Sequence, residues 1–253
     1  MNTQKIVQLI FSPTGTTKKI ADEICKGISD GFKVIDLSTE IEEQTIECDA
    51  VIVAAVPVYG GRVPQVATER LLKLKAVGNK AVAVVVYGNR AYDDALLELK
   101  DTLEKIGCVV IAGGAFIAEH SMIREIAAGR PNENDLKIAF NFGKSIADKL
   151  KETDTKGIIV PGNPKYKYKK HNKGITPKTN KSCTTCGECA KFCPVGAIPT
   201  DNPSKTSENC IGCMRCVSVC PNHARALSKP VVFMISTVLS SAKNKVCEPE
   251  IFI

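Results

Sequence analysis

Two groups of four cysteines with identical spacing constrain this chain more than any other feature of its sequence. Each run has the pattern Cys-x2-Cys-x2-Cys-x3-Cys-Pro, and the second begins at Cys210, 27 residues after the first begins at Cys183. Eight of the twelve cysteines lie in these runs: Cys183, Cys186, Cys189, Cys193, Cys210, Cys213, Cys216 and Cys220. The first 11 residues lack the charged lead and cleavage site of a signal peptide, so we expect a cytoplasmic protein. Clustered cysteines in such a protein indicate metal ligands rather than disulfides.

The ligand type favours iron–sulfur clusters over zinc. Thiolates suit the soft iron–sulfur core, and the x2 spacing lets three of them converge on one cube. Zinc is the alternative because CxxC pairs also bind it, but zinc knuckles need neither the third cysteine nor the repeated Cys-Pro. Residues 182–229 form a unit too short to bury a stable core alone, so we expect it to fold around its clusters.

The two runs resemble those of bacterial two-cluster ferredoxins, which form a small α+β domain. The resemblance implies that the fourth cysteine of each run ligates the other cluster. One [4Fe–4S] cluster is then held by Cys183, Cys186, Cys189 and Cys220. The second is held by Cys210, Cys213, Cys216 and Cys193.

Apolar runs alternate with helical patterns through residue 150. The strands are predicted at 5–11, 32–37, 49–56, 81–87 and 108–116, and the helices at 17–29, 64–75, 93–106 and 135–150. This alternation predicts an α/β domain over residues 1–150 with a doubly wound, five-stranded parallel sheet. Ligands of such sheets bind beyond the carboxyl ends of the strands, which places the loops 12–17, 57–62 and 88–93 at the site.

The first of these loops, within the sequence FSPTGTT, is rich in hydroxyl groups and contains no lysine. It precedes a helix, whose unpaired amides and positive dipole favour a phosphate. Ser12, Thr14, Thr16 and Thr17 add hydroxyl donors, and Gly15 permits close backbone approach. Neutral donors without a cation suit one monophosphate. An ordinary helix cap is the alternative.

The two following loops each carry an aromatic residue, Tyr59 and Tyr92, at the same edge of the sheet. The chain has no tryptophan, so stacking on a flat ring falls to tyrosine. The alternatives are that Tyr59 caps the core and that Tyr92 is a helix-start residue.

Residues 4–150 resemble a flavodoxin, in which the pattern S-x-T-G-x-T binds the phosphate of FMN. The resemblance implies that Tyr59 is the inner and Tyr92 the outer aromatic over the isoalloxazine, and that Gly88 and Asn89 contact its pyrimidine end. The full FMN site expected is Ser12, Thr14, Gly15, Thr16, Thr17, Pro57, Val58, Tyr59, Gly60, Gly88, Asn89, Arg90 and Tyr92. Two residues depart from the family: Pro13 lies inside the phosphate loop, and Arg90 puts a cation near the ring.

The net charge of +7 does not indicate nucleic-acid binding. Residues 151–181 hold nine lysines against two acidic residues, so the rest of the chain is balanced. We interpret 151–181 as a linker that can also dock acidic redox partner proteins. Residues 230–253 form a tail that we expect to dock on one of the domains, and no apolar run is long enough to span a membrane.

The whole chain resembles the flavodoxin–ferredoxin fusion proteins of anaerobic bacteria and archaea. The resemblance implies an electron-transfer protein that passes electrons between two [4Fe–4S] clusters and FMN. The alternative is an enzyme, an iron–sulfur flavoprotein reductase whose FMN reduces a small organic substrate, quinone or oxygen. Only Tyr59, Tyr92, Arg90 and His120 could serve such chemistry near the ring, which favours the carrier.

Overall fold

The computed structural model of the chain describes residues 4–152, 156–166 and 175–253. The first part contains β1 (Ile6–Ile10), α1 (Thr16–Ile28), β2 (Lys33–Asp36), β3 (Gln44–Thr45), β4 (Val51–Pro57), α2 (Gln65–Leu71), β5 (Leu74–Lys75), β6 (Lys80–Tyr87), α3 (Ala95–Lys105), β7 (Val109–Ile117) and α4 (Glu133–Lys149). The second part contains β8 (Lys178–Thr179), α5 (Glu188–Lys191), α6 (Arg215–Ser218), β9 (Arg225–Ala226), α7 (Lys229–Val238), α8 (Ser240–Lys243) and β10 (Glu250–Phe252). Within the predicted linker, residues 153–155 and 167–174 lie outside the described residues.

The main sheet has the strand order β10-β7-β6-β4-β1-β2. Its five predicted strands pair in parallel, which confirms the doubly wound sheet. The predicted strand number is corrected, because β10 adds a sixth strand that runs antiparallel to β7. This three-residue strand is too short to stand out in the sequence, and it finds its partner only because β7 would otherwise be an unpaired edge.

The sheet is buried on both faces because its central strands are apolar throughout. In β4 the residues from Val51 to Val56 are all buried, as expected for a parallel strand covered by helices on both sides. One face packs against α1 and α4 through residues such as Ile24 and Phe142. The other face packs against α2 and α3 through residues such as Leu71 and Leu99.

Helices α1 and α4 approach each other through a pair of glycines. A Cβ on Gly27 would overlap the carbonyl oxygen of Phe140 and lie 2.9 Å from the Cα of Gly143. A Cβ on Gly143 would in turn lie 2.9 Å from the Cα of Gly27. Both positions therefore require glycine for steric reasons.

The cysteine-rich part repeats its backbone conformation as well as its sequence. Helices α5 and α6 occupy equivalent places in the two runs. Three pairs of residues with positive φ recur 27 residues apart: Thr185 and Gly212, Gly187 and Met214, and Gly196 and His223. Each run thus makes the same tight turns around its cysteines. At Thr185, Met214 and His223 the left-handed conformation is held by residues other than glycine, which is uncommon and costs free energy.

The C-terminal segment returns to the first part of the chain. Ile235, Leu239 and Ala242 form a small buried cluster with Ile123 and Ile126 from the segment after β7. Phe233 and Val238 of α7 remain exposed. Among the described residues, no helix combines the length and the apolarity needed to cross a bilayer.

Candidate cofactor and cluster sites

The loop between β1 and α1 forms a cradle of backbone amides. Gly15 caps α1 with a φ of 88°, and no side chain caps this helix end. In the described part of the chain, the amides of Thr14, Thr16 and Thr17 have no hydrogen-bond acceptor. Unpaired amides at a helix N-terminus are a binding site for an anion. The loop therefore fits the phosphate that the sequence predicts.

The side chains of this loop play unequal parts. The buried Ser12 hydroxyl oxygen accepts the amide of Lys18 at 3.0 Å, so it closes the turn. The Lys18 ammonium, which is the nearest cation in sequence, pairs with Asp22 at 2.6 Å. Thr14 and Thr16 are half-buried and line the cavity above the loop.

Two adjoining cavities form one groove that leads away from this loop. The smaller, of about 50 Å³, lies between the phosphate loop, the ends of β4 and β6, and the segment after β7. The larger, of about 290 Å³, is lined mainly by apolar groups, with Met234 and Val238 of α7 among them. Four residues line both cavities: Val58, Tyr59, His120 and Ser121. An elongated ligand with a polar end and a flat apolar end fits this groove.

A tight turn presents Tyr59 to the groove. Tyr59 and Arg62 exchange backbone hydrogen bonds of 2.9 Å and 3.2 Å. Between them, Gly60 and Gly61 have φ values of 59° and 80°, as a two-residue turn of this kind requires. A Cβ on Gly61 would lie 2.8 Å from that of Asp93, so a side chain is excluded there. Four residues of the predicted FMN site line the groove here: Pro57, Val58, Tyr59 and Gly60.

The loop after β6 contributes only one residue to the groove. Gly88 lines the groove, but the side chains of Asn89, Arg90 and Tyr92 do not. Asn89 Nδ2 donates to the carbonyls of Ala242 and Lys245 at 2.9 Å and 2.6 Å. Arg90 pairs with Asp93.

Tyr92 is buried and packs edge-on against Tyr87, with 5.5 Å between ring centroids. Its hydroxyl donates to Glu250 of β10 at 2.7 Å. Asn89 and Tyr92 thus hold the C-terminal segment and Arg90 forms a local ion pair, and their assignment to the FMN site stays a prediction.

His120, which the sequence offers as one of four residues for chemistry near the ring, lines the groove. Its Nδ1 accepts the amides of Met122 and Ile123 at 3.3 Å and 3.1 Å, so the neutral ring carries its proton on Nε2. Burial lowers the pKa of His120. Its ring also packs on Gly88, where a Cβ would lie 2.9 Å from the imidazole Cγ. Its position directly after β7 was the only available sequence signal.

The cysteines come together as two groups of four. Cys183, Cys186, Cys189 and Cys220 line one cavity, so three thiols of the first run meet the fourth thiol of the second. Cys193 neighbours Cys210, Cys213 and Cys216. Burial raises the pKa of Cys213 to about 12 and that of Cys216 to about 11 in the metal-free chain. Within the described residues, no three side chains of Cys, His, Asp or Glu are close enough together to bind a single metal ion, which is a smaller group than a [4Fe–4S] cluster.

Equivalent backbone amides approach the fourth sulfur of each run. The amide of Ala197 donates to Cys193 Sγ and that of Ala224 to Cys220 Sγ, both at 3.2 Å. Donors of this kind stabilise thiolate, which is the form that binds iron. The donor sets therefore fit iron–sulfur clusters.

Comparison with family models identifies both parts of the chain. A model described as Flavodoxin matches residues 10–129, and one described as 4Fe-4S dicluster domain matches residues 177–221. The chain is a flavodoxin–ferredoxin fusion. A flavodoxin domain implies FMN, and a 4Fe-4S dicluster domain implies iron–sulfur clusters. No curated protein matched this sequence.

Several solved structures are similar to the flavodoxin domain. Flavodoxin 1 from Bacillus cereus is 20% identical, covers 57% of this chain and 97% of its own, and has a TM-score of 0.43. A flavodoxin from the domain Archaea is 17% identical, covers 58% and 99%, and has a TM-score of 0.40. Rubredoxin oxygen:oxidoreductase from Desulfovibrio gigas is 14% identical, covers 59% and 36%, and has a TM-score of 0.40.

The dicluster domain contacts the flavodoxin domain beside the groove. Ile211, next to Cys210, packs against the core of the flavodoxin domain. Arg70 Nη2 donates to the carbonyl of Pro194 at 2.7 Å, and Arg215 Nη1 donates to the carbonyl of Pro13 at 2.9 Å. These contacts bring one group of cysteines to the edge of the groove.

Tyr59 lies at this junction. Enclosure of its phenol raises the pKa of Tyr59 well above the usual range, and the nearby thiols of Cys213 and Cys210 raise it further. Tyr59 as a whole is half-buried because part of the residue faces the groove. Tyr59 thus separates the ring end of the groove from the second group of cysteines.

Proposed function

We propose that this chain is an electron-transfer flavo-iron–sulfur protein that passes electrons between two [4Fe–4S] clusters and FMN. The observation that carries the proposal is the position of Tyr59, which lines the groove and neighbours the thiols of Cys210 and Cys213. Clusters exchange single electrons, and flavin exchanges one or two, so the pair interconverts the two kinds of chemistry. Placing both on one chain makes the exchange intramolecular.

Each cluster takes three thiolates from one run and one from the other. We assign the first cluster to Cys183, Cys186, Cys189 and Cys220, whose thiols share a cavity. We assign the second to Cys193, Cys210, Cys213 and Cys216. The first group includes the exposed Cys186, whereas Cys210 and Cys213 of the second group lie near Tyr59 of the flavodoxin domain. This arrangement suggests that external partners exchange electrons with the first cluster and that the second cluster serves the flavin.

We assign the FMN phosphate to the amides and hydroxyls of Thr14, Thr16 and Thr17, with Gly15 and Ser12 shaping the loop. The ring is assigned to the larger cavity, where Tyr59 and the apolar side chains of α7 exclude water. Pro57, Val58, Gly60 and Gly88 provide the backbone around it. His120 presents a neutral N–H donor to the same groove.

Cofactor analysis of anaerobically purified protein tests this proposal. We expect about eight irons, about eight acid-labile sulfides and about one FMN per chain, because two [4Fe–4S] clusters and one phosphate loop are assigned. Stoichiometric zinc, or about four irons, would contradict the two-cluster assignment. Absence of FMN binding would contradict the flavin assignment.

A second candidate is the iron–sulfur flavoprotein reductase, and His120 favours it. A half-buried, neutral imidazole beside the flavin groove can donate a hydrogen bond from Nε2 to the carbonyl oxygen of an organic acceptor and so stabilise the negative charge that develops there during two-electron reduction. Reoxidation of the reduced protein by quinones, by oxygen and by redox proteins distinguishes the two candidates. Rapid, saturable turnover of one small substrate, slowed in His120→Gln, would favour the enzyme. Fast exchange with redox proteins alone would favour the carrier.

The partners are proposed to be redox proteins, including acidic ones. The lysines of the 151–181 segment would attract such partners by long-range electrostatics, and their association rate would fall with added salt. We propose the cytoplasm as the location, because eight thiolate ligands suit a reducing compartment.

A further inference from the structure

We propose that Arg215 of the dicluster domain completes the phosphate loop of the flavodoxin domain by supplying the positive charge that the loop lacks. FMN retention would then depend on contact between the two domains. The inference rests on the proposed FMN site. The contact is made to the backbone carbonyl of Pro13, the residue that departs from the flavodoxin pattern.

Arg215 crosses from one domain to the other. It begins α6 and directly precedes the cluster ligand Cys216. Its Nη1 donates to the carbonyl of Pro13 at 2.9 Å and to that of Ser12 at 3.5 Å. Its guanidinium lies over the Phe192 ring, 5.3 Å from the centroid, which fixes its direction. The arginine thus holds the turn that positions the phosphate-binding amides.

The contact with Pro13 acts on the amide of Thr14. The Pro13 carbonyl and the Thr14 N–H belong to one peptide group, and in a trans peptide they point in opposite directions. A charged donor on the carbonyl therefore orients the N–H away from Arg215 and polarises it toward an acceptor. Among the described residues, that N–H has no acceptor of its own. The arginine makes Thr14 a stronger donor for a phosphate.

The charges around the loop leave this role to Arg215. The loop 12–17 contains no lysine or arginine, and Lys18 is held by Asp22. Arg215 is the cation that contacts the loop backbone.

Lys191 provides a matched control. Its ammonium also lies over the Phe192 ring, at 5.2 Å from the centroid, but among the described residues it makes no hydrogen bond to the phosphate loop. The two cations thus share Phe192 as a neighbour, but only Arg215 donates a hydrogen bond to the phosphate loop. Lys191→Met removes a charge from the same region without breaking the bridge.

The test measures FMN and riboflavin binding to flavin-depleted, cluster-loaded protein by anaerobic quenching of flavin fluorescence. We expect Arg215→Met to raise the Kd for FMN about tenfold, which equals about 1.4 kcal/mol, and to leave riboflavin binding unchanged. Riboflavin lacks the phosphate, so it reports only on the ring cavity. Arg215→Lys should recover part of the affinity, since it keeps the charge but loses the planar fork. Lys191→Met should match the wild type.

Iron and sulfide content, measured on every variant, verifies that the dicluster domain is folded. Equal FMN affinity in wild type and Arg215→Met would overturn the inference while leaving the FMN site intact. Equal losses for FMN and riboflavin in both Arg215 variants would also overturn it, because the arginine would then act only on the fold. A wild-type protein that binds neither flavin would instead refute the proposed function itself.

Discussion

Replacement of Asn89 distinguishes a clamp on the C-terminal segment from a flavin contact. Asn89 is buried, has a φ of 63°, and donates to two carbonyls of the segment, at Ala242 and Lys245. Losing two hydrogen bonds costs about 2 kcal/mol. Alanine adds about 1 kcal/mol because it resists a positive φ, whereas glycine does not. We therefore expect losses of about 3 kcal/mol for Asn89→Ala and about 2 kcal/mol for Asn89→Gly.

Anaerobic urea unfolding and limited proteolysis of the C-terminal segment check this expectation. Both variants should release the segment to protease earlier than the wild type, and FMN affinity should change less than stability. Asn244→Ala is the control, because this exposed asparagine lies in the same segment and its side chain makes no hydrogen bond within the described residues. Unchanged stability together with a large loss of FMN affinity would refute the clamp and support the predicted contact of Asn89 with the flavin.

Three further predictions concern the core, the groove and the clusters. Gly27→Ala should destabilise the protein by about 1–3 kcal/mol in urea unfolding, because its Cβ has no room against α4, whereas Gly31→Ala meets open space and should not. Burial lowers the pKa of His120, so its contribution to stability is full above the unfolded value of 6.5 and declines as pH falls below it. His120→Gln should flatten that acid-side decline in urea unfolding at a series of pH values, and an unchanged slope would contradict the assignment. Cys220→Ser should remove the cluster assigned to Cys183, Cys186 and Cys189, although Cys220 belongs to the second cysteine run. EPR of the reduced variant should show the loss of this one cluster. Loss of the cluster assigned to Cys210, Cys213 and Cys216 alone would contradict the crossed pairing.

The fold was predictable from the sequence because its strongest signals are local. Apolar runs such as 49–56 and 81–87 are long, and buried parallel strands leave them uninterrupted. The spacing of the cysteine repeat predicted iron–sulfur ligands, and the resemblance to two-cluster ferredoxins implied which thiols share a cluster. The phosphate loop followed from its place between a strand and a helix.

The contents of the groove were less predictable because they depend on distant segments. Tyr92 has the sequence position of a ring-stacking residue. Its hydroxyl instead donates a hydrogen bond to the carboxylate of Glu250, 158 residues away, and this contact holds Tyr92 in the core. Asn89 is likewise held by the C-terminal segment, which approaches because β10 extends the sheet. Helix α7 and His120 also line the groove. No local pattern in the sequence encodes these long-range pairings.

The contacts between the two domains also could not be predicted from the sequence. Arg215 looks like an ordinary residue between two cysteines, and Pro13 looks like a defect in a phosphate loop. Together they form a contact across 202 residues of sequence. Such contacts depend on how the domains dock, and docking leaves no periodic signal.

Electron transfer within single molecules tests the central claim most directly. The clusters of the anaerobic protein can be reduced by a flash-generated reductant, and the absorbance of the flavin followed afterwards. Because both cofactors are assigned to one chain, the rate of flavin reduction should not change over roughly a hundredfold range of protein concentration. A rate that rises in proportion to protein concentration, or clusters that stay reduced while the flavin stays oxidised, would contradict the account.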